Sequence, residues 1–537
     1  MKTNNFTWLK EKYIFYGVLI VNLILLSTVR YYPSMDGPAH LYNSSLICHL
    51  IKGDCTSLYD FFALNKVLIP NWIGHFFLTS LCFIFPAWLA EKAMLCLYLT
   101  GLAFSFRLLV KQLCPQNIYL SIFIFPFTYS FLFHLGFYNY SISFIFLFYS
   151  IYFWLKTQDE FNFKKYFVLF ILLTLTYFSN VLTFCFLGLC LGLYTISYEI
   201  DIYLYKKNLL FSLKSVTKKL AVLFIVSLPG LILLIIFYKT TTFSASHYQY
   251  STTELTKWIN DVRALISYNY KGEEIITQQF LHLAIIIISI SVFLRFQNNL
   301  SKHFFSIINK NDIILLPVLI ALISLYFIPD GSGAGMMSDR YCLMFFMLLF
   351  VWVSTQPVPQ RINQLILALV IILHFGLLFK NHIGTIRNLN RDANLIASTS
   401  KYIKPGSIVL PINMSDNWLE GHFSNYLGVD KPMVILENYE ASVGWFPIKW
   451  NFEKMPKILL NNNASVDGFQ WPGHTNSKTI KQIDYVFIYG NIMKINDSNH
   501  NELKNALSSQ YYKLLYSSND NYVNLYERIN NVSYFRN

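Results

Sequence analysis

Charge is scarce in this chain. Only 13% of its 537 residues are charged, about half the share in an ordinary soluble domain, which is roughly 25%. No phosphate-loop or dinucleotide-binding motif is present, so a nucleotide-dependent enzyme of either common type is excluded. The eight cysteines form no CxxC pair and no Cys/His cluster, so a metal is possible but not indicated. What is abundant is apolar surface. Hydrophobic residues make up 54% and aromatic residues 18%, with a mean hydropathy of +0.41. That is far more than one water-soluble core hides, and it points to a polytopic membrane protein.

The net charge of +13 is informative once placed. From Arg391 onward there are 14 basic and 13 acidic residues, so the excess lies in 1–390, among the apolar segments. No nucleic-acid-binding motif accompanies it, and no nucleic-acid partner is expected. It reads as the orientation signal of membrane helices.

Apolar runs near the length of about 20 residues that spans a bilayer fall near 13–29, 71–86, 87–110, 117–133, 137–155, 166–179, 180–200, 220–238, 277–295, 313–328, 340–355 and 362–380. Placing the cluster Lys206, Lys207, Lys214, Lys218 and Lys219 in the cytoplasm leaves the loops at 30–70, 134–139, 239–276 and 329–340 outside. Parity then requires 71–110 to cross an odd number of times although it holds two runs, so the expectation is 11 to 13 spans. The expected fold is mostly α: a transmembrane helix bundle over 1–390, its first outer loop at 30–70, and a small extracytoplasmic α/β domain over 391–537. In that tail Ser407–Ile412, Pro432–Leu436, Asp484–Tyr489 and Asn521–Tyr526 read as strands and Asn501–Ser509 as a helix. Asn438-Tyr439-Glu440-Ala441 followed by Trp445-Phe446-Pro447 forms an aromatic-rich loop, read as core packing before groove lining. Cys48 and Cys55 share the first outer loop, where an oxidising compartment would allow a disulfide, with free thiols the favoured alternative.

Acidic residues are few where they matter. Between the first apolar run and residue 150 they are Asp36, Asp54, Asp60 and Glu91. Asp36 stands just past that run, in Met35-Asp36-Gly37-Pro38-Ala39-His40-Leu41-Tyr42. An ionisable group at a membrane boundary is a functional candidate. The same residue is also a good helix cap, with Pro38 in the first turn. Both readings stand at this point.

An N-terminal span, an outer loop opening on an acidic residue and a short amphipathic helix, many further spans and an outer soluble domain resemble the GT-C superfamily of integral membrane glycosyltransferases. Lipid A aminoarabinose transferases and protein O-mannosyltransferases belong to it. The motif carrying the resemblance is Asp36 with Pro38, His40 and Tyr42, followed by Ile69-Pro70-Asn71-Trp72-Ile73-Gly74-His75 at the start of the second apolar run, with Lys66 just before it. The resemblance implies transfer of a sugar from a polyprenyl-phosphate donor to a lipid, glycan or protein acceptor at the outer face, in a bacterial inner membrane. It implies Asp36 as the catalytic carboxylate and no obligatory cofactor. Such a donor calls for a base and for a cation near the phosphate. Substrate contacts are expected from His40, Tyr42, Lys66 and His75 in the first loop and from Tyr138 and Asn139 in the next outer turn. His247, Arg263 and Arg340 in the later outer loops complete the set. An O-antigen ligase or polymerase is the alternative within this chemistry, and a multi-pass transporter the alternative outside it.

Overall fold

A computed structural model describes residues 5–160, 162–240, 247–299, 309–332, 334–451, 483–496, 503–504, 507 and 511–529. The chain divides into two compact units, and the division does not follow chain order. One unit holds the residues up to Leu25, Cys96–His134 and Tyr138–Thr385; the other holds Leu26–Leu95, Leu135–Phe137 and the chain from Ile386 onward. The loop at 30–70 thus belongs to the same unit as the C-terminal region.

The first unit is helical. Seven helical stretches among the described residues are long and apolar enough to cross a membrane. Of the apolar runs, 117–133 is not one continuous α-helix: it breaks into a 3-10 segment Pro115–Phe123 and short helices Ile124–Thr128 and Phe131–His134. This interrupted segment is buried throughout, where protein rather than lipid surrounds its irregular backbone. By contrast Leu209–Thr240 has only 17% of its apolar window buried and turns Phe224, Ile225 and Ile235 outward. An outward-facing surface of that kind suits hydrocarbon and not water. Asn162 and Asn180 cap the helices that follow them, accepting from Lys164 N at 2.9 Å and Thr183 N at 3.2 Å. These caps explain why two apolar runs separate into Phe163–Ser179 and Val181–Lys206. The basic cluster is not wholly solvated: Lys219 is buried and bridges Glu199 at 2.7 Å and Asp159 at 2.6 Å.

The run at 71–86 behaves differently. It yields only the ten-residue helix Ile73–Cys82, which lies in the second unit. At 1.5 Å per residue it is about 15 Å long, half of a hydrocarbon core of about 30 Å. Only Ala87–Leu113 within 71–110 has spanning length among the described residues, a single candidate crossing where the sequence shows two runs.

The second unit contains the sheet. Strands β1 (Phe62–Leu64), β2 (Ile408–Met414), β3 (Val434–Ile435), β4 (Ile448–Trp450), β5 (Tyr485–Gly490), β6 (Tyr512–Ser517) and β7 (Val523–Arg528) form two sheets. The larger runs β3-β2-β5-β7-β6, with β2 parallel to β3 and β5, and β7 antiparallel to β5 and β6. The near-unbroken apolar runs of β2 and β5 fit strands buried on both faces. Four strands expected in the tail are present within a residue or two. The edge strand β6 was not expected, because most of its side chains face outward. The helix expected at Asn501–Ser509 lies largely outside the described residues. The smaller sheet joins β1 of the first loop antiparallel to β4 of the tail, with Phe62 stacked on Trp450 at 4.4 Å.

Cys48 and Cys55 are not bonded to each other; both are free thiols. Cys48 is buried in the helix Gly37–Lys52. Cys55 lies beyond Gly53, the left-handed residue that ends that helix, with Sγ 3.4 Å from Ser57 Oγ.

Candidate functional site

Asp36 occupies the cap position of the helix Gly37–Lys52, with Pro38 in the first turn, but its side chain makes no capping hydrogen bond. Ser34 Oγ accepts from Gly37 N at 3.2 Å instead. The carboxylate is therefore released from the helix end, which separates the two readings of this residue. It lies with Oδ1 3.6 Å from His422 Nε2 and accepts a hydrogen bond from the Tyr439 hydroxyl.

The backbone at Asp36 is held from one side by the short turn Leu135–Phe137. Asp36 N donates to Leu135 O at 3.0 Å. Gly136 has φ +87°, and a Cβ there would lie 2.6 Å from Gly37 N and 2.9 Å from Asp36 N. Only glycine permits both that conformation and that approach. Gly136 O then receives Nε2 of His40 at 3.0 Å, one helical turn after Asp36.

Around Asp36 the second unit gathers three histidines and two further carboxylates. His40 Nδ1 is in direct contact with Glu440 Oε1. His75 Nε2 lies 2.8 Å from Glu440 Oε2. Asn43 Nδ2 donates to the same Glu440 oxygen at 2.7 Å, and Asn43 and Asn438 exchange amide hydrogen bonds at 3.0 and 2.6 Å. Asn438 also caps the short helix Tyr439–Ser442, accepting from Ala441 N at 3.3 Å, which fixes where Glu440 points. His422 Nδ1 binds Glu437 Oε1 at 2.7 Å, and its ring stacks on Tyr439 at 4.4 Å.

The cluster has a closed floor and a partly open lip. The Glu440 and His75 side chains are 0% and 2% exposed, whereas Asp36 is 11% and His422 is 21% exposed. Burial raises Asp36 above the ordinary carboxylate range despite the neighbouring imidazoles of His422 and His40. Burial alone would lower His422, but the carboxylates of Glu437 and Asp36 outweigh it and lift this imidazole to about 9. At neutral pH it is a cation between two carboxylates.

This sets a sign for the pH dependence of stability. His422 contributes fully below its ordinary value of about 6.5, and the contribution is lost as pH rises through its folded value. The shift corresponds to at most about 3 kcal/mol. Melting temperatures of wild type and His422→Gln should therefore differ most at and just below about pH 6.5 and converge as pH rises past about 9. A gap that stays constant with pH would mean that His422 acts through packing alone.

The other expected site residues are placed as follows. Tyr42 is buried with its hydroxyl donating to Met433 O at 2.8 Å and accepting from Ile435 N at 3.2 Å, so it clamps β3. Lys66 is exposed on the loop after β1. In the first unit, Tyr138 and Asn139 begin the helix Tyr138–Thr157 and are buried, and His247 is exposed. Arg263 lies 3.5 Å from Asp339, donates to Ile266 O at 2.6 Å and covers the Phe131 ring. The neighbouring Arg340 binds Gly335 O through Nε at 3.1 Å and lies over the Tyr140 ring. The structure thus joins Asp36, His40 and His75 in one cluster, and draws Arg263 toward the Asp339–Arg340 pair. Sequence reasoning missed Glu440, Glu437, His422, Asn43 and Asn438. The one available signal is two acidic residues and an asparagine within Glu437-Asn438-Tyr439-Glu440, a polar insertion between apolar runs.

No protein-family model matches the chain, and no curated protein matches it at a significant level.

Proposed function

We propose that this chain is a membrane glycosyltransferase that moves a sugar from a polyprenyl-phosphate donor to an acceptor hydroxyl, with Asp36 as the general base. The observation that carries the reading is the Asp36 carboxylate itself. It is freed from capping, held by Tyr439 and His422, made more basic by burial, and left at the partly open lip of an otherwise closed cluster. In the reaction, the acceptor oxygen attacks the anomeric carbon and its proton passes to Asp36. The bond from that carbon to the phosphate oxygen breaks, and polyprenyl phosphate leaves with the electron pair. The imidazolium of His422 holds Asp36 in place, and the Tyr439 hydroxyl fixes one carboxylate oxygen so that the other faces the acceptor. On this reading the apolar helices keep the lipid tail in hydrocarbon, and the charge pattern of 1–390 supports chemistry at the outer face.

The direct test uses the full chain in proteoliposomes with a radiolabelled polyprenyl-phosphate sugar and a mixture of lipid, glycan and peptide acceptors. Label should leave the donor lipid with time and appear on an acceptor, only when protein is present. Movement of intact donor across the bilayer without cleavage would instead make the chain a transporter.

A further inference from the structure

We propose that His40, His75 and Glu440 bind one divalent transition-metal ion of the zinc class at the floor of the cluster. The inference stands apart from the transferase reading and concerns groups that reading does not use.

The donor set is the first argument. One ligand atom from each of the three residues lies within 4.8 Å of the others, and all three residues are buried. A zinc ion sits about 2.1 Å from imidazole nitrogen or carboxylate oxygen, so an ion at their centre reaches all three with small side-chain adjustments. Two imidazoles and one carboxylate select such a metal over magnesium or calcium, which prefer oxygen alone.

The surroundings are those of a ligand shell. Gly136 O can only accept, so the hydrogen of the His40 ring is on Nε2, 3.0 Å away. Nδ1 then faces Glu440 Oε1 directly, the placement in which both atoms can ligate one ion. A backbone carbonyl that orients a ligating imidazole in this way is a common outer partner of metal sites. Asn43, itself locked to Asn438, orients the Glu440 carboxylate from behind. The Phe446 ring lies 6.0 Å from His40 and 5.6 Å from His75 and covers both imidazoles.

Three carboxylates, Asp36, Glu437 and Glu440, face the cluster, and a pocket so rich in oxygen and nitrogen donors suits a dication. The ligands come from the helix Gly37–Lys52, the helix Ile73–Cys82 and the short helix Tyr439–Ser442. The ion would therefore staple the first loop to the C-terminal part of the same unit.

The test is metal content, read without any activity assay. The full chain is purified in detergent, stripped with a chelator, reloaded with zinc and measured by elemental mass spectrometry. Reloading with cobalt instead reports coordination by its visible absorption. Wild type should take up about one ion per chain and melt at higher temperature when loaded. Asn43→Ala should bind roughly 10–100-fold more weakly, as loss of an outer partner does. His75→Gln and Glu440→Gln should bind more weakly still. Folded, monodisperse wild type that takes up neither zinc nor cobalt would overturn the site, and this outcome does not depend on any variant folding. Uptake unchanged in both His75→Gln and Glu440→Gln would also overturn it, by placing the ion elsewhere.

Discussion

Asp36→Asn should fold, insert and bind donor lipid like wild type, and transfer sugar about 10²–10⁴-fold more slowly, the usual worth of a positioned base. The substitution is nearly isosteric and costs no cap, because the carboxylate makes no capping hydrogen bond. The amide still accepts from Tyr439 but cannot take a proton from the acceptor. Removing the carboxylate also removes one partner of His422, so a modest fall in melting temperature is expected beside the large fall in rate. The two effects are separable: His422→Gln also loses that pairing but keeps the base. Transfer at the wild-type rate by Asp36→Asn would remove the mechanism.

Gly136→Ala should damage the same chemistry without touching a reacting group. A left-handed φ costs a residue with a Cβ about 1–2 kcal/mol, and here the new methyl also meets backbone nitrogens of Asp36 and Gly37 well inside van der Waals contact. Backbone cannot swing aside as a side-chain tip can. The turn Leu135–Phe137 must therefore back away, which lengthens the hydrogen bonds from Asp36 N to Leu135 O and from His40 Nε2 to Gly136 O. A loss of about 2–3 kcal/mol of stability is expected, together with a fall in turnover of about 10²-fold from misplacing the base. Thermal unfolding and the transfer assay measure the two. A variant that keeps both would show that this turn does not position Asp36.

Much of the helical architecture was legible, because spanning helices announce themselves by length and composition alone. The failures share one cause. Hydropathy reports how apolar a segment is and not what surrounds it. Thus 71–86 looked like a span but folds as the short helix Ile73–Cys82, while 117–133 keeps spanning length yet is broken into short helical pieces, which hydropathy does not show. The strand β6 was hidden because an exposed edge lacks the apolar alternation that marks its neighbours. At the site, Asp36 and His40 were legible because they lie close together in one polar loop between apolar runs, and His75 because it opens the helix just after that loop. Glu440, His422 and Glu437 were not, since their relation to that loop exists only after the chain has folded back on itself. Asp36 shows the limit most plainly: a good cap residue at a cap position leaves its side chain unused there, because Ser34 takes the Gly37 N–H.

The order in which the parts of the second unit are synthesised has its own consequence. Asp36, the turn at Gly136 and the stretch bearing His422, Tyr439 and Glu440 leave the ribosome far apart in time, with most of the apolar helices made between them. Under the proposed function, the carboxylate is made well before the imidazolium and the phenol that would make it useful, and catalytic competence would be the last property the protein acquires.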